Sequence, residues 1–333
     1  LPSLGGARDV ARSVVCQGSR LRELANAQQQ YALDNEEWYA GRNTTGFYDP
    51  IYFRLEVYEE RKLDPRYMVT SWFDWISPVL GDAMSMPDNR AERTAFIFNT
   101  LGDPASIVYN DTIYAGQGRR NLLDFDEFDE VLGKRGIRQV SYLTPLSMHL
   151  HANDQIAELY QKLLPTIRGN KIKRPPQSWE SMIGEEAEFA APRRFRPRMD
   201  LVAVQPSSKV IVSDGTRYYA GDARILDFDP SPYPRYYGSF SSSAPSYHQS
   251  TTFGRDFDRR NGFEGDDTNV DLTFRHPGHS INAARFDGSV VSIRSHEAWS
   301  NPAPWWPSGS VYTGRGEPTP EIQAKFSVGD ELP

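Results

Sequence analysis

Residues 7–38 read ARDVARSVVCQGSRLRELANAQQQYALDNEEW. No proline interrupts them, and the sole glycine is Gly18. Val10, Val14, Leu21, Leu24 and Tyr31 recur at spacings of three, four and seven, with Gln17 and Gln28 in the remaining seam positions. One apolar stripe on a 3.6-residue period marks an amphipathic helix. A helix this long with so narrow a stripe must pack on something larger than itself. The stretch therefore predicts a long N-terminal helix, residues 1–40, laid on the rest of the chain.

The C-terminal third supplies the surface for it. Val210–Ser213 precedes Asp214-Gly215 and the extended run 216–219, and Ile281–Phe286 precedes Asp287-Gly288 and the run 289–293. Asp-Gly accepts the positive φ of a type I′ turn, whose twist matches paired strands. Two antiparallel hairpins are expected within 201–300. Residues 227–271, rich in Pro, Ser, Gly and Asp with scattered Tyr and Phe, read as a long ordered surface loop. Residues 41–200 form a mixed insertion region. Residues 51–58 alternate as a strand, with a short helix equally allowed, and 94–98 and 105–109 read as short strands. Residues 124–132 read as a helix, as does the run from Asn153-Asp154 to Leu163, while 171–197 is linker-like. Residues 301–333 are a C-terminal tail. The class is α+β: a long helix packed on an antiparallel sheet, with large loop insertions.

Composition narrows the function. Of 333 residues 38% are hydrophobic and 12% aromatic, material suited to sheet faces. The net charge of −7 argues against a nucleic-acid binder. No window approaches a membrane span. The single cysteine, Cys16, excludes an intrachain disulfide and a cysteine-based zinc site, and reads as a small packed hydrophobe.

Several of these residues together resemble a family. Leu1-Pro2, Ala7-Arg8, Ala11-Arg12, Cys16, Leu21-Arg22-Glu23-Leu24-Ala25, Tyr31-Ala32 and Asp34-Asn35 are similar to the segment that follows the membrane helix of prepilin-type cleavage/methylation proteins. Pro206-Ser207 through Asp214-Gly215, and Arg275-His276 through Asp287-Gly288, resemble the C-terminal elements of the branch with an H-x9-DG signature. Here ten residues rather than nine separate His276 from Asp287, and a mid-chain Cys-Pro step common in that branch is missing. The resemblance implies a pilin-like fold, an apolar membrane helix of about 20 residues preceding Leu1, and family-motif positions at Cys16, Asp214, Gly215, His276, Asp287 and Gly288.

Catalytic patterns are sparse. There is no Gly-x-Ser-x-Gly elbow and no phosphate-binding glycine loop. His149 and His151 lie on one side of an extended segment, as a metal pair would, but no third ligand sits at a telling spacing. His276 and His279 could be ligands or an acid/base pair. The plainer reading is a ring that holds loop backbone where the last hairpin begins, and turn geometry alone accounts for Asp287. Asp266, Asp267, Asn269 and Asp271 alternate, so their side chains could converge on Ca²⁺, although a solvated acidic loop explains them as well. Arg193, Arg194, Arg196 and Arg198 form a basic run suited to an anionic partner or an acidic neighbouring subunit. Trp305 and Trp306 could stack on sugar or pack the tail over the sheet.

The expected function is a non-catalytic structural subunit of a pilin-like or pseudopilin-like assembly, a type IV filament or type II secretion apparatus, at the cell envelope or extracellular surface. Copies of the chain, or related subunits, would associate through Val10, Val14, Leu21, Leu24 and Tyr31, some of which must instead face the chain's own sheet. The membrane would be reached through the upstream helix. No nucleic acid and no cofactor is expected, with Ca²⁺ the one candidate. The alternatives are a surface-anchored carbohydrate-binding module and a metal-dependent hydrolase.

Overall fold

The computed structural model describes residues 20–41, 69–71, 73–106, 109–110, 124–151, 187–216, 239–247, 250, 252–253 and 268–333. Its helices are α1 (Arg22–Asp34), α2 (Ile76–Leu80), α3 (Arg90–Thr100), α4 (Phe125–Arg135), α5 (Met199–Val202), α6 (Thr268–Thr273), α7 (Ser295–Ser300) and α8 (Pro320–Lys325). Its strands are β1 (Tyr142–Pro145), β2 (Phe189–Ala190), β3 (Val210–Asp214), β4 (Ser241–Ser242), β5 (Ser280–Arg285), β6 (Val290–Arg294) and β7 (Val311–Tyr312). The class is mixed helix and sheet. No helix among the described residues is long and apolar enough to cross a membrane.

Helix α1 shows why its stripe is narrow. Leu21, Leu24, Ala25, Gln28 and Ala32 are buried, while Arg22, Glu23, Asn26, Gln30, Leu33 and Asp34 are exposed. The buried side packs on β3, β5 and α2. Gln28 tolerates burial because its side chain donates to the Ala40 carbonyl at 2.9 Å and accepts from the Ala40 N–H at 2.8 Å. The helix stops at Asp34, short of the expected Trp38. Glu36 and Glu37 turn left-handed, with φ of 54° and 69°, and the Glu37 N–H returns to the Ala32 carbonyl. Leu21 and Leu24 are spent on this chain's own core, which corrects their assignment as contacts between copies. Tyr31 is half-buried. Val10, Val14 and Cys16 lie outside the described residues.

The main sheet has the order β4-β1-β3-β5-β6. It is antiparallel except at one edge, where β1 and β4 run parallel. The 281–293 hairpin forms as expected, but its turn is not type I′. Only Gly288 has positive φ, at 82°, and the Gly288 N–H donates to the Arg285 carbonyl. That is the wider turn with a glycine bulge. The hairpin expected around Asp214-Gly215 does not form. Both sides of β3 are taken, by β1 and β5; residues 217–219 lie outside the described residues. Gly215 is required by packing: a Cβ there would lie 2.5 Å from Leu143 Cδ1.

The middle region is built into the core. Residues 94–98 are helical, inside α3, not a strand. Asn89 caps this helix by accepting from the Glu92 N–H at 2.9 Å, and Ala91, Thr94, Ala95 and Phe98 are buried on one helical face. A short apolar run fits either period, and the cap decides it. In 105–109 the described residues form no strand; Asp103 organises a turn, and Tyr109 makes a single bridge to Arg138. The helix expected at 124–132 is α4. The strand or helix at 51–58 and the helix at 153–163 lie outside the described residues.

The C-terminal tail is part of the core. β7 pairs with β2 in a second sheet, and Trp305, Trp306, Ile322 and Leu332 are buried in the same apolar cluster as Leu21 and Leu24.

Candidate functional site

Asp103 follows α3, Asp214 ends β3, and Arg275 and His276 lead into β5. The chain reaches β5 through a tight reversal in which Gly278 and His279 have φ of 78° and 52°, and His276 and Ser280 exchange backbone hydrogen bonds. This reversal points the His276 ring inward. Its Nε2 lies 2.7 Å from Asp214 Oδ2 and 3.4 Å from Asp103 Oδ2. Arg275 Nε lies 2.5 Å from Asp103 Oδ2, and its Nη2 3.5 Å from Asp214 Oδ1. The guanidinium also donates to the carbonyls of Gly215, Leu272 and Ser141. Both carboxylates are fully buried.

Burial alone would push the Asp103 carboxyl up, but the Arg275 guanidinium and the His276 ring outweigh it and hold the group well below the usual carboxylate range. Burial alone would push His276 down. The Asp103 and Asp214 carboxylates close against its Nε2 outweigh that and raise it to about 9. At that value the ring keeps its proton at neutral pH, so two cations face two anions in a buried cluster. This overturns the expectation that the ring holds loop backbone: it binds carboxylates.

Asp103, Asp214 and His276 each offer one ligand atom, all within 4.8 Å of one another. The donor set nevertheless does not fit a metal. Asp103 Oδ1 accepts from the Ala105 N–H at 2.9 Å, and Asp214 Oδ2 accepts from the Asn282 N–H at 2.7 Å. Asp103 Oδ2 and Asp214 Oδ1 face Arg275. A metal would have to expel a guanidinium and deprotonate an imidazolium. The arrangement can hold protons and tie segments together.

The other candidates separate. His279 does not join His276. Its side chain is 77% exposed, and its nearest acid, Asp271 Oδ1, is 3.9 Å away. Asp266 and Asp267 lie outside the described residues. Asn269 and Asp271 belong to α6. Asp287 accepts from the Ser289 N–H at 2.9 Å and hydroxyl at 2.7 Å, the turn role expected of it. His149 and His151 are buried and pushed down to about 3 and 4, chiefly by burial. Neither joins a metal-competent cluster among the described residues.

The basic run is not a linker. Phe195 is buried, Arg198 pairs with Asp200 at 2.9 Å, and the Pro197 carbonyl accepts from the Tyr39 N–H. Arg194 lines an open cleft of about 440 Å³ with Asp200, Leu201, Val204, Ser308 and Glu331. Trp305 and Trp306 are 1% exposed. They pack against Phe253 and Phe189, at ring distances of 5.6 and 5.7 Å, and present no platform for sugar.

Sequence reasoning singled out Asp214 and His276 as motif positions but missed Asp103, Lys209 and Glu188. Lys209 is buried, donates to the main-chain oxygens of Ala303 and Pro333, and is pushed down to about 8 by burial. Glu188 is buried with its Oε1 accepting from the Ser246 hydroxyl at 3.1 Å, and burial pushes it up to about 7. No local pattern announces any of the three; each is defined by what the fold brings against it. No family model, no curated protein and no solved structure matches this chain.

Proposed function

We propose that the protein is a non-catalytic structural subunit of a pilin-like or pseudopilin-like assembly at the cell envelope. One observation carries the reading. The motif residues Asp214 and His276 converge with Asp103 and Arg275 on a sealed, charge-balanced cluster, not on an open cleft. A cluster of that kind fastens a scaffold.

Helix α1 adds support. Its described portion is amphipathic, and its outer side is polar apart from Leu33. The portion after residue 20 therefore serves the globular head. Association among copies falls to residues before it, including Val10 and Val14, and to the apolar membrane helix that the resemblance implies. Such a helix is costly to expose and is hidden by bundling with its like. Head-to-tail contacts that do not close then extend a filament.

The test is the sequence upstream of Leu1 and its effect in cells. An apolar span of about 20 residues that holds the protein in the membrane or yields filaments supports the reading. A natural upstream sequence without such a span removes it.

A further inference from the structure

We propose that Glu188 is the catch of a proton-controlled latch: in acid it holds the turn 244–247, and the tail residues clipped to that turn, against β2, and near neutral pH its ionisation releases them. Glu188 directly precedes β2, and 2% of it is exposed. Its Oε1 accepts from the Ser246 hydroxyl at 3.1 Å. Ser246 is itself buried, and its carbonyl accepts from the Thr319 N–H at 2.9 Å, just before α8. Tyr247 bridges to Pro318 beside it. On the main-chain side, the Thr313 N–H and hydroxyl both donate to the Glu188 carbonyl. One acid thus stands where β2, the turn and the two ends of the stretch 313–319 meet.

The groups packed around this carboxyl do not balance a charge. The turn brings the Ser246 hydroxyl, the tail brings the Trp306 indole, and β7 brings the Tyr312 phenol, which burial and Glu188 both push up. Among the described residues, no lysine, arginine or histidine acts on Glu188. Other buried acids are matched: Asp124 meets Arg90 at 2.7 Å, and Asp103 and Asp214 face Arg275 and His276. A buried carboxylate without a cation either takes a proton or moves into water. Burial accordingly raises Glu188 to about 7.

Water can reach this carboxyl without unfolding the main sheet. The turn follows β4, an edge strand, and β2 and β7 pair over two residues each. Small units at an edge open locally before the core does. The ordinary value is 4.5, and the closed value is about 7, so closure binds a proton. The latch is fully favoured below pH 4.5 and weakens by about tenfold per pH unit until pH 7. It does not depend on the pilin-like reading.

The test is hydrogen exchange of the chain 1–333 between pH 4.5 and 8, expressed as protection relative to intrinsic exchange. Protection at the Thr313 and Thr319 amides should fall about tenfold per pH unit up to pH 7 and then level off. The β5 amides report unfolding of the core, where the two buried histidines His149 and His151 outweigh one acid. Their protection should instead rise from pH 4.5 to 6.5. Glu188→Gln keeps the shape and should leave Thr313 and Thr319 protection flat across the range. Ser246→Ala removes the hydroxyl that favours the carboxylate, so its fall should continue above pH 7. Thr313 and Thr319 amides that follow those of β5 overturn the proposal. So does a fall that persists in Glu188→Gln, or one that ends at the same pH in Ser246→Ala. No readout involves assembly, so failure here leaves the filament reading standing, and the reverse.

Discussion

His276 Nε2 lies 2.7 Å from Asp214 Oδ2, and the contact joins the turn before β5 to the last residue of β3. Asp214 Oδ2 also accepts from the Asn282 N–H of β5. The same carboxylate therefore fixes the register of the two central strands and anchors the imidazolium beside them. Removing one partner from a buried ion pair leaves an uncompensated charge and costs about 3–5 kcal/mol. Asp214→Ala and His276→Ala should each lose stability on that scale in urea unfolding. The double variant should lose less than the sum, because the second substitution removes the orphaned charge.

Alkaline pH should weaken the protein through His276. Its pKa is about 9 when folded, against an ordinary value of 6.5, so folding binds a proton between those values. The stabilisation is complete below pH 6.5 and is lost as pH rises through 9. Melting temperature measured from pH 6.5 to 9.5 should fall, and His276→Gln should flatten that limb.

On the acid side the sign reverses. His149 and His151 are held neutral by burial, with values near 3 and 4. Below pH 6.5 the unfolded chain takes up protons that the native chain refuses, so stability falls as pH drops toward 4. Replacing His151 by a residue that does not titrate, as in His151→Gln, should shrink the acid limb of the same melting profile.

Glu188 acts in yet another window. Burial raises its carboxyl to about 7 from 4.5, so the native state binds the extra proton between those values and stability falls as pH rises from 4.5 to 7. Glu188→Gln keeps the shape, removes the titration, and should be more stable than wild type at pH 8 and near wild type at pH 4.5. Equilibrium unfolding at the two pH values checks this.

Trp305 and Trp306 should behave as core residues. Trp305→Ala or Trp306→Ala should cost about 3–5 kcal/mol in unfolding. Adding soluble oligosaccharide to the wild type should leave tryptophan fluorescence and melting temperature unchanged. A saturable shift with sugar would restore the carbohydrate-binding alternative.

Features set by neighbouring residues are legible along the chain. The stripe of Leu21, Leu24 and Gln28 gave α1 its buried side, acidic and apolar spacing gave α4, and Asp287-Gly288 gave the last hairpin. Each is a local periodicity or a turn preference, and the side chains involved lie within a few residues of one another. The remaining features come from contacts between segments far apart in the chain. β3 runs between β1 and β5, and Gly215 lies close against Leu143. Asp103 gained its role because the fold carries it to Arg275 and His276, far along the chain. Burial turns these scattered ionisable groups into partners, and burial belongs to the packed molecule rather than to any stretch of its sequence.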